Sequence, residues 1–363
     1  MITVVFSSDP KVSVRNTHNL QEWTQYNAAC TTATIYHLPE WSAVLEKSFG
    51  YIPYHLFAKD AHGRLLGILP LFLIKSSVGG NRLVSLPFSH FCGPIVDSNT
   101  ALEALLEEAI KLCNTLKCKY LEIKMISKEP QPNIDSVWTK NGFEVSSHFS
   151  TFLLELSKPD TVWKKLDPKS VRWAIGKARR DGVRVKKSDS LQDIRCFYNL
   201  NLKTKKRIGV PGHPHYLFEN IFQEMGDRAT LYLAELQNAI IAGIITLKYN
   251  DTTLYAYAAS DDNYRVNQPN SLLVWTAIEE ACNDGYRYFD FGRTSSAEES
   301  VTSFKKHWGT EEKMLAYYYY PHIPNSMVLG DSNMLYSLAT MLWKKMPLSL
   351  AGFFSNRIFK YLG

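Results

Sequence analysis

The stretch YFDFGRTSSAEESVTSFKKHWG (288–309) sets Asp290, Gly292 and Arg293 at the end of an apolar segment, with Lys305 and Lys306 shortly after. Two adjacent lysines there have two readings. One is a solvated helix end. The other is a fixed cation aimed at an oxyanion or a phosphate. Asp290 reads as a structural group that holds the strand end or Arg293.

Two further basic stretches bear on the choice. Between Lys158 and Lys187 stand eleven Lys or Arg against three Asp, an excess of +8 in a chain whose net charge is +6. A solvated helix face and an electrostatic site for a polyanion both fit such a run. Lys165, Lys169 and Arg172, at helical i, i+4 and i+7, are expected on one face. The second cluster, Lys203, Lys205, Lys206 and Arg207, leads into a loop with Gly209, Pro211, Gly212 and Pro214, followed by His215 and Tyr216. A stiff loop beside cations and His213 reads as a substrate loop, or else as a plain turn between helices.

The elements that must position these groups read as a mixed α/β pattern. Residues 39–49 and 101–117 carry apolar residues at helical spacing, and YLEIKMI and TFLLELS read as strands. A turn at 61–64 joins two strands. The order recurs further on. Helices are expected over 168–181, with Pro168 in the first turn, and over 190–203, 214–225 and 270–284. A hairpin turns at Gln237-Asn238, and TTLYAYAAS, YRYFDFG and KMLAYYYY read as strands. The expected division is 1–157, 158–321 and a helical appendage over 322–363, with the boundary near Ser157–Asp160.

The chain has 363 residues, enough for two domains, with 21% charged and 13% aromatic residues. Its six cysteines lack metal-ligand spacing and read as reduced core residues, so no metal site is expected. No spanning segment and no secretory leader are read, which points to a cytoplasmic protein. The tail, MLYSLATMLWKKMPLSLAGFFSNRIFKYLG, alternates apolar stretches with Lys344, Lys345, Arg357 and Lys360. It reads either as a helix packed on the body or as an interfacial segment (326–363) on anionic lipid at the inner membrane face.

VRWAIGKARRDGVRV (171–185), FYNLNLKTKKRIGVPGHPHYLF (197–218), YRYFDFGR (286–293) and SFKKHWGTE (303–311) together resemble the Fem-type transferases. The tail resembles that of a subgroup linked to exopolysaccharide and exosortase systems. The resemblance implies two tandem acetyltransferase (GNAT)-like domains and transfer of an acyl or aminoacyl group to an amine of a small-molecule or lipid-linked envelope precursor. It implies that Phe304 and Lys305 serve the reaction, with Tyr257, or alternatively Tyr255, near the acceptor. It matches Arg207 to an acceptor phosphate, and Lys205, Tyr198, Arg172 and Arg293 are further candidates for substrate binding. Lys305 would then meet the oxyanion of the tetrahedral intermediate, with Phe304 orienting it. Asp261, Asp262 and His213 are candidate proton acceptors for the attacking amine, with substrate or water as the alternatives. No Ser-His-Asp ordering suggests a covalent acyl-enzyme.

One departure concerns the donor. An acetyltransferase carries R/Q-x-x-G-x-G/A at the helix start that binds the CoA pyrophosphate, and DDNYRVNQPNSLLVW (261–275) has no glycine. The donor is therefore open between aminoacyl-tRNA and an acyl-CoA or acyl carrier, with no bound cofactor expected. The alternatives are a non-catalytic protein recruiting a lipid-linked glycan and a CoA-dependent N-acetyltransferase. Oligomeric state is not read from the sequence.

Overall fold

The computed structural model describes residues 11–15, 20–76, 80–126, 132–324 and 334–362. The chain forms two compact units, one from 1–148 and 314–328, the other from 149–313 and 329–362.

The first unit runs β1 (Lys11–Arg15), α1 (Leu20–Ala29), α2 (Pro39–Phe49), β2 (Ile52–Pro53), β3 (His55–Lys59), β4 (Leu65–Leu69) and β5 (Phe72–Ile74). It continues with β6 (Arg82–Val84), β7 (Ile95–Val96), α3 (Asn99–Thr115), β8 (Tyr120–Ile126) and α4 (Pro132–Lys140), and ends inside β9 (Glu144–Glu155). One sheet has the order β1-β3-β4-β7, and β6 pairs in parallel with β8 in the other. Leu102, Leu105, Leu106 and Ala109 of α3 face this core at the spacing that makes one helix face apolar. Ser98 starts the helix by accepting from the Ala101 N–H. Of the expected N-terminal strand, residues 1–10 lie outside the described residues.

The second unit continues with α5 (Pro159–Lys165), α6 (Trp173–Arg180), β10 (Arg184–Ser188), α7 (Leu191–Ile208), α8 (His215–Met225), β11 (Ala229–Leu236), β12 (Ala239–Tyr249) and β13 (Thr252–Ser260). Then come α9 (Pro269–Asn283), β14 (Tyr288–Asp290), β15 (Thr294–Ser295) and α10 (Glu299–Lys306), after which β16 (Glu311–Tyr320) returns to the first unit from Met314. The chain closes with α11 (Met334–Lys345) and α12 (Leu348–Ile358). The sheet order here is β10-β11-β12-β13-β14-β9. Helices α5, α6 and α9 cover one face, and α7 and α8 the other. The β11–β12 hairpin turns as expected at Gln237 and Asn238, both at positive φ (51° and 64°), the twist a tight hairpin requires. Helix α7 lies so close to β12 that a Cβ on Gly243 would stand 2.8 Å from Phe197 Cδ2.

The structure departs from the sequence reading at three places. The unit boundary falls within β9, between His148 and Phe149, and Pro159 is the first residue of a helix and not part of a linker. The strand KMLAYYYY belongs to the first unit, where β16 pairs with β8 from Leu315↔Ile126 to Tyr320↔Leu121. The expected helix over 168–181 is preceded by a break, with Leu166 and Asp167 extended (ψ 140° and 121°). Pro168 disfavours helical backbone at the residue before it. Lys165 therefore does not share a helical face with Lys169 and Arg172.

Candidate functional site

Strand β13 and the end of β14 frame the site. The two pair in parallel only from Thr252↔Tyr288 to Leu254↔Asp290. Beyond that point β13 carries a bulge at Ala256, since Thr246 pairs with Tyr255 and Ile245 with Tyr257. In a regular strand Tyr255 and Tyr257 would share a face; the extra residue turns them to opposite faces. Tyr255 packs on the α9 side against Phe289 and Phe291 (ring centroids 6.5 and 6.0 Å). Tyr257 packs on the α7 side against His213 and Phe218 (5.1 and 5.4 Å). Burial pushes both phenols up.

Lys305, on the last turn of α10, is only 5% exposed. Its Nζ donates to the Gly292 carbonyl at 2.7 Å and the Arg293 carbonyl at 3.4 Å, and lies 5.4 Å from the Phe152 ring centre. An ammonium has three N–H donors, so one is left for a further acceptor. Burial lowers its pKa to about 8; Asp290 and Glu298 oppose that, and Arg293 adds to it. No carboxylate touches Lys305 among the described residues. Asp290 is occupied otherwise, accepting from Thr151 Oγ1 (2.5 Å) and from the Gly292 N–H (2.7 Å). Burial raises the Asp290 carboxyl, and these hydrogen bonds and Lys305 limit the rise. The expected structural role of Asp290 thus falls on the strand end, while the Arg293 guanidinium stacks over Phe149 at 4.3 Å.

The two adjacent lysines point apart. Lys306 pairs with Glu312 at 2.9 Å. Phe304 packs edge-on to the buried Trp308 (6.1 Å), which anchors α10 to the core of the second unit.

Lys205 is a second cation in the same field. It is half-buried on the last turn of α7, where its carbonyl accepts from the Gly209 and Val210 N–H groups, and its side chain makes no hydrogen bond or ion pair among the described residues. Burial lowers its pKa, and Glu298 opposes the change. Glu298 is therefore within electrostatic reach of both Lys205 and Lys305. His213 is enclosed by Asn201, Tyr257 and Phe359, with its Nδ1 3.2 Å from Asn201 Oδ1. Burial, and then the Lys205 charge, hold this imidazole well below its ordinary pKa and so neutral. Glu298 thus acts electrostatically on Lys305 and Lys205, and the Lys205 charge acts in turn on His213, which packs on Tyr257.

Other expected residues lie elsewhere in the second unit. Arg207 reaches Asp262 (3.7 Å) and Lys203 donates to Asp261 (2.7 Å). The Lys203 hydrogen bond is the chief cause of a lowered Asp261 pKa, which makes it a weak proton acceptor. Tyr198 faces His215 (5.8 Å) and lies beneath α12 beside Gly352. Tyr255 is turned into the core. Arg172 ends a turn whose N–H reaches back five residues to Asp167 O, and its Nε is buried without a partner among the described residues. That turn abuts α10, since Asp167 N donates to His307 O (3.1 Å). Asp167 fixes it by accepting from Lys169 N, Ser170 N and Ser170 Oγ.

The sequence reading missed Glu298 and Asn201. Glu298 lies in an exposed polar run, SSAEES, and its only local signal is its acceptance of the Ser295 N–H three residues back. Asn201 is buried mid-helix, where an amide calls for a partner; it accepts from the His213 N–H at 3.1 Å. Among the described residues no His, Cys, Asp and Glu cluster could hold a metal ion.

Residues 169–306, which contain this site, match the acetyltransferase (GNAT) domain family. Over 158 residues the chain is 25% identical to the UDP-N-acetylmuramoylpentapeptide-lysine N(6)-alanyltransferase of Weissella viridescens, an alignment covering 42% of this chain and 47% of that protein. The chain thus matches about half the length of that relative. The crystal structure of FemX superposes with a TM-score of 0.70 at 17% identity, covering 88% of this chain and 98% of that one. A tandem GNAT protein from the clavulanic acid biosynthesis pathway gives 0.57 at 10% identity, over 86% and 98%. Residues 169–306 thus match the GNAT domain family by sequence, and over most of its length the chain is similar in fold to FemX.

Proposed function

We propose that the chain transfers an acyl or aminoacyl group to an amine of a cell-envelope precursor. The observation that carries this reading is Lys305, a buried cation neutralised by no contacting carboxylate. Holding such a charge out of water is costly, and perturbed lysines of this kind mark functional sites. As the amine attacks the donor carbonyl, negative charge develops on its oxygen, and the remaining Lys305 N–H is the donor for it. One such donor contributes about 10²–10³-fold in rate. Tyr257 and Lys205 line the acceptor side, and neutral His213 positions Tyr257. Arg293 and Arg172 meet phosphate groups of the substrates.

The acceptor class rests on the Weissella relative, whose name describes alanyl transfer to the lysine of a muramoyl-pentapeptide nucleotide. A peptidoglycan or exopolysaccharide precursor is the acceptor we infer. The start of α9 supports an aminoacyl-tRNA donor over acyl-CoA. Pro269 supplies no N–H there, and the Asp181 carboxylate lies beside it, accepting from Asn267 Nδ2 at 2.9 Å. A pyrophosphate would meet that negative charge. A second reading is a non-catalytic binding protein, favoured by one observation: Lys305 ties α10 to the backbone of Gly292 and Arg293, as a purely structural lysine would.

Ligand-induced thermal shift decides. Wild type and Lys305→Met are heated with acyl-CoAs, aminoacyl-tRNAs and nucleotide-linked sugars, since a ligand that binds the native state raises Tm. Stabilisation by aminoacyl-tRNA and a nucleotide sugar, with turnover lost in Lys305→Met, supports the proposal. Stabilisation by acyl-CoA alone moves the donor to CoA. A glycan-nucleotide shift without turnover in either protein overturns transfer in favour of binding.

A further inference from the structure

The last two helices repeat one pattern. On α11, Leu338, Met341 and Leu342 are exposed (41%, 47% and 64%), with Lys345 next on the same face. On α12, Leu350, Phe353 and Phe354 are exposed (48%, 50% and 41%), with Arg357 next. Both sets run i, i+3, i+4, i+7, the spacing of one helix face. Each helix is docked by its other side. Thr340 and Lys344 of α11 lie against Gly209, and Gly352 and Ser355 of α12 against Leu202 and Gly212. The apolar stripes are therefore the sides turned away from α7.

Charge settles what covers them. From residue 332 to the last residue the sequence has no Asp or Glu, and it carries Lys344, Lys345, Arg357 and Lys360. The Arg357 guanidinium lies over the Phe353 ring at 3.8 Å, so cation and apolar side chain leave the helix together. At the α11–α12 junction, Lys203, Lys206, Arg207 and Leu348 line a cavity of about 410 Å³, with Lys206 held to the Lys344 carbonyl (2.9 Å). Lys203 and Arg207 are offset by Asp261 and Asp262, but within α11 and α12 the apolar stripes are edged by cations alone, which matches a surface that is apolar below and anionic above. Among the described residues no helix is long and apolar enough to cross a membrane.

We propose that α11 and α12 dock the second unit on an anionic phospholipid bilayer, the two apolar stripes entering the headgroup boundary and the flanking cations meeting lipid phosphates. Each basic residue near an anionic surface strengthens binding about fivefold, an effect that salt weakens.

The test is flotation of the full chain with vesicles of phosphatidylcholine alone and of phosphatidylcholine mixed equally with phosphatidylglycerol. The expected result is co-flotation with the anionic vesicles only, lost at high salt. Phe353→Ser/Phe354→Ser should reduce binding at least tenfold, and Lys345→Gln/Arg357→Gln by about the square of the single-charge factor. Circular dichroism and Tm check that these exposed substitutions leave the fold intact. No flotation of folded wild type overturns the proposal, as does equal flotation with both vesicle types. A dimer in sedimentation that Phe353→Ser/Phe354→Ser dissolves, without vesicle binding, also overturns it and makes a second copy the occupant. None of these outcomes depends on acyl transfer.

Discussion

Raising the pH on wild type and on Lys305→Met isolates the cost of one buried charge. In the folded chain burial lowers the Lys305 pKa from 10.5 to about 8. On unfolding the amine returns to its ordinary value. Below the folded pKa both states hold the proton, and the native state carries the unfavourable charge. Between the two values the native state has released its proton and the unfolded state still holds one. The unfolded state then binds more protons, so stability rises with pH across that window. Integrated from pH 7 to pH 10, the gain is on the order of 2–3 kcal/mol. Urea denaturation at several pH values measures it, and the difference between wild type and Lys305→Met removes groups common to both. A difference that stays flat from pH 7 to pH 10 refutes the reasoning, because it means that the amine is solvated and titrates normally. The proposed reaction runs the opposite way. A cation that stabilises an oxyanion loses its charge above about pH 8, so the rate falls while stability rises.

Two further predictions concern the α7–α8 loop. Gly209→Ala should destabilise the second unit by about 2–4 kcal/mol, because φ is +95° and the new Cβ would lie 2.4 Å from Thr340 Cγ2 and 3.0 Å from its carbonyl. Urea denaturation gives the loss, and faster proteolysis of the tail shows that α11 has lifted. His213 should remain neutral from pH 8 down past its ordinary 6.5, since burial and Lys205 both lower its pKa; NMR of the ring protons should show no titration there, and Lys205→Met should move the pKa back upward.

Where the site's side chains lie was legible in the sequence only in part, and each difference has a local cause. Lys305 was legible as a cation after a strand, but its burial was not. That depends on the turn at Gly292 and on Phe152 of β9, far away in sequence. The pair Tyr255 and Tyr257 was legible as strand residues. A bulge at Ala256 is a pairing event with β12, and nothing local marks it, so their opposite faces were not. The break before Pro168 was readable from that proline together with the capping Asp167. The +8 run instead suggested one continuous face. The hairpin at Gln237-Asn238 and the extent of α3 followed from turn chemistry and apolar spacing, where local and tertiary preferences agree. KMLAYYYY was correctly read as a strand, but its partner could not be read, since the alternation of a strand does not say which sheet it joins.

That strand sets an order for synthesis. Domains generally fold as units, the N-terminal one first as the chain emerges. Here residues 314–320 complete the sheet of the first unit by pairing with β8, and they are made only after 149–313 of the second. The first unit to begin is thus unfinished until all of 149–313 has been made. Tyr318, which stacks on Trp138 at 4.1 Å, reaches a half that has waited with that tryptophan uncovered. The loop after α7 waits longer still, because the Gly212 N–H finds its acceptor only at Ser355. A chain arrested before residue 311 would therefore lack a strand in one unit and a clamp in the other, and both faults would expose apolar surface to the cell's quality control.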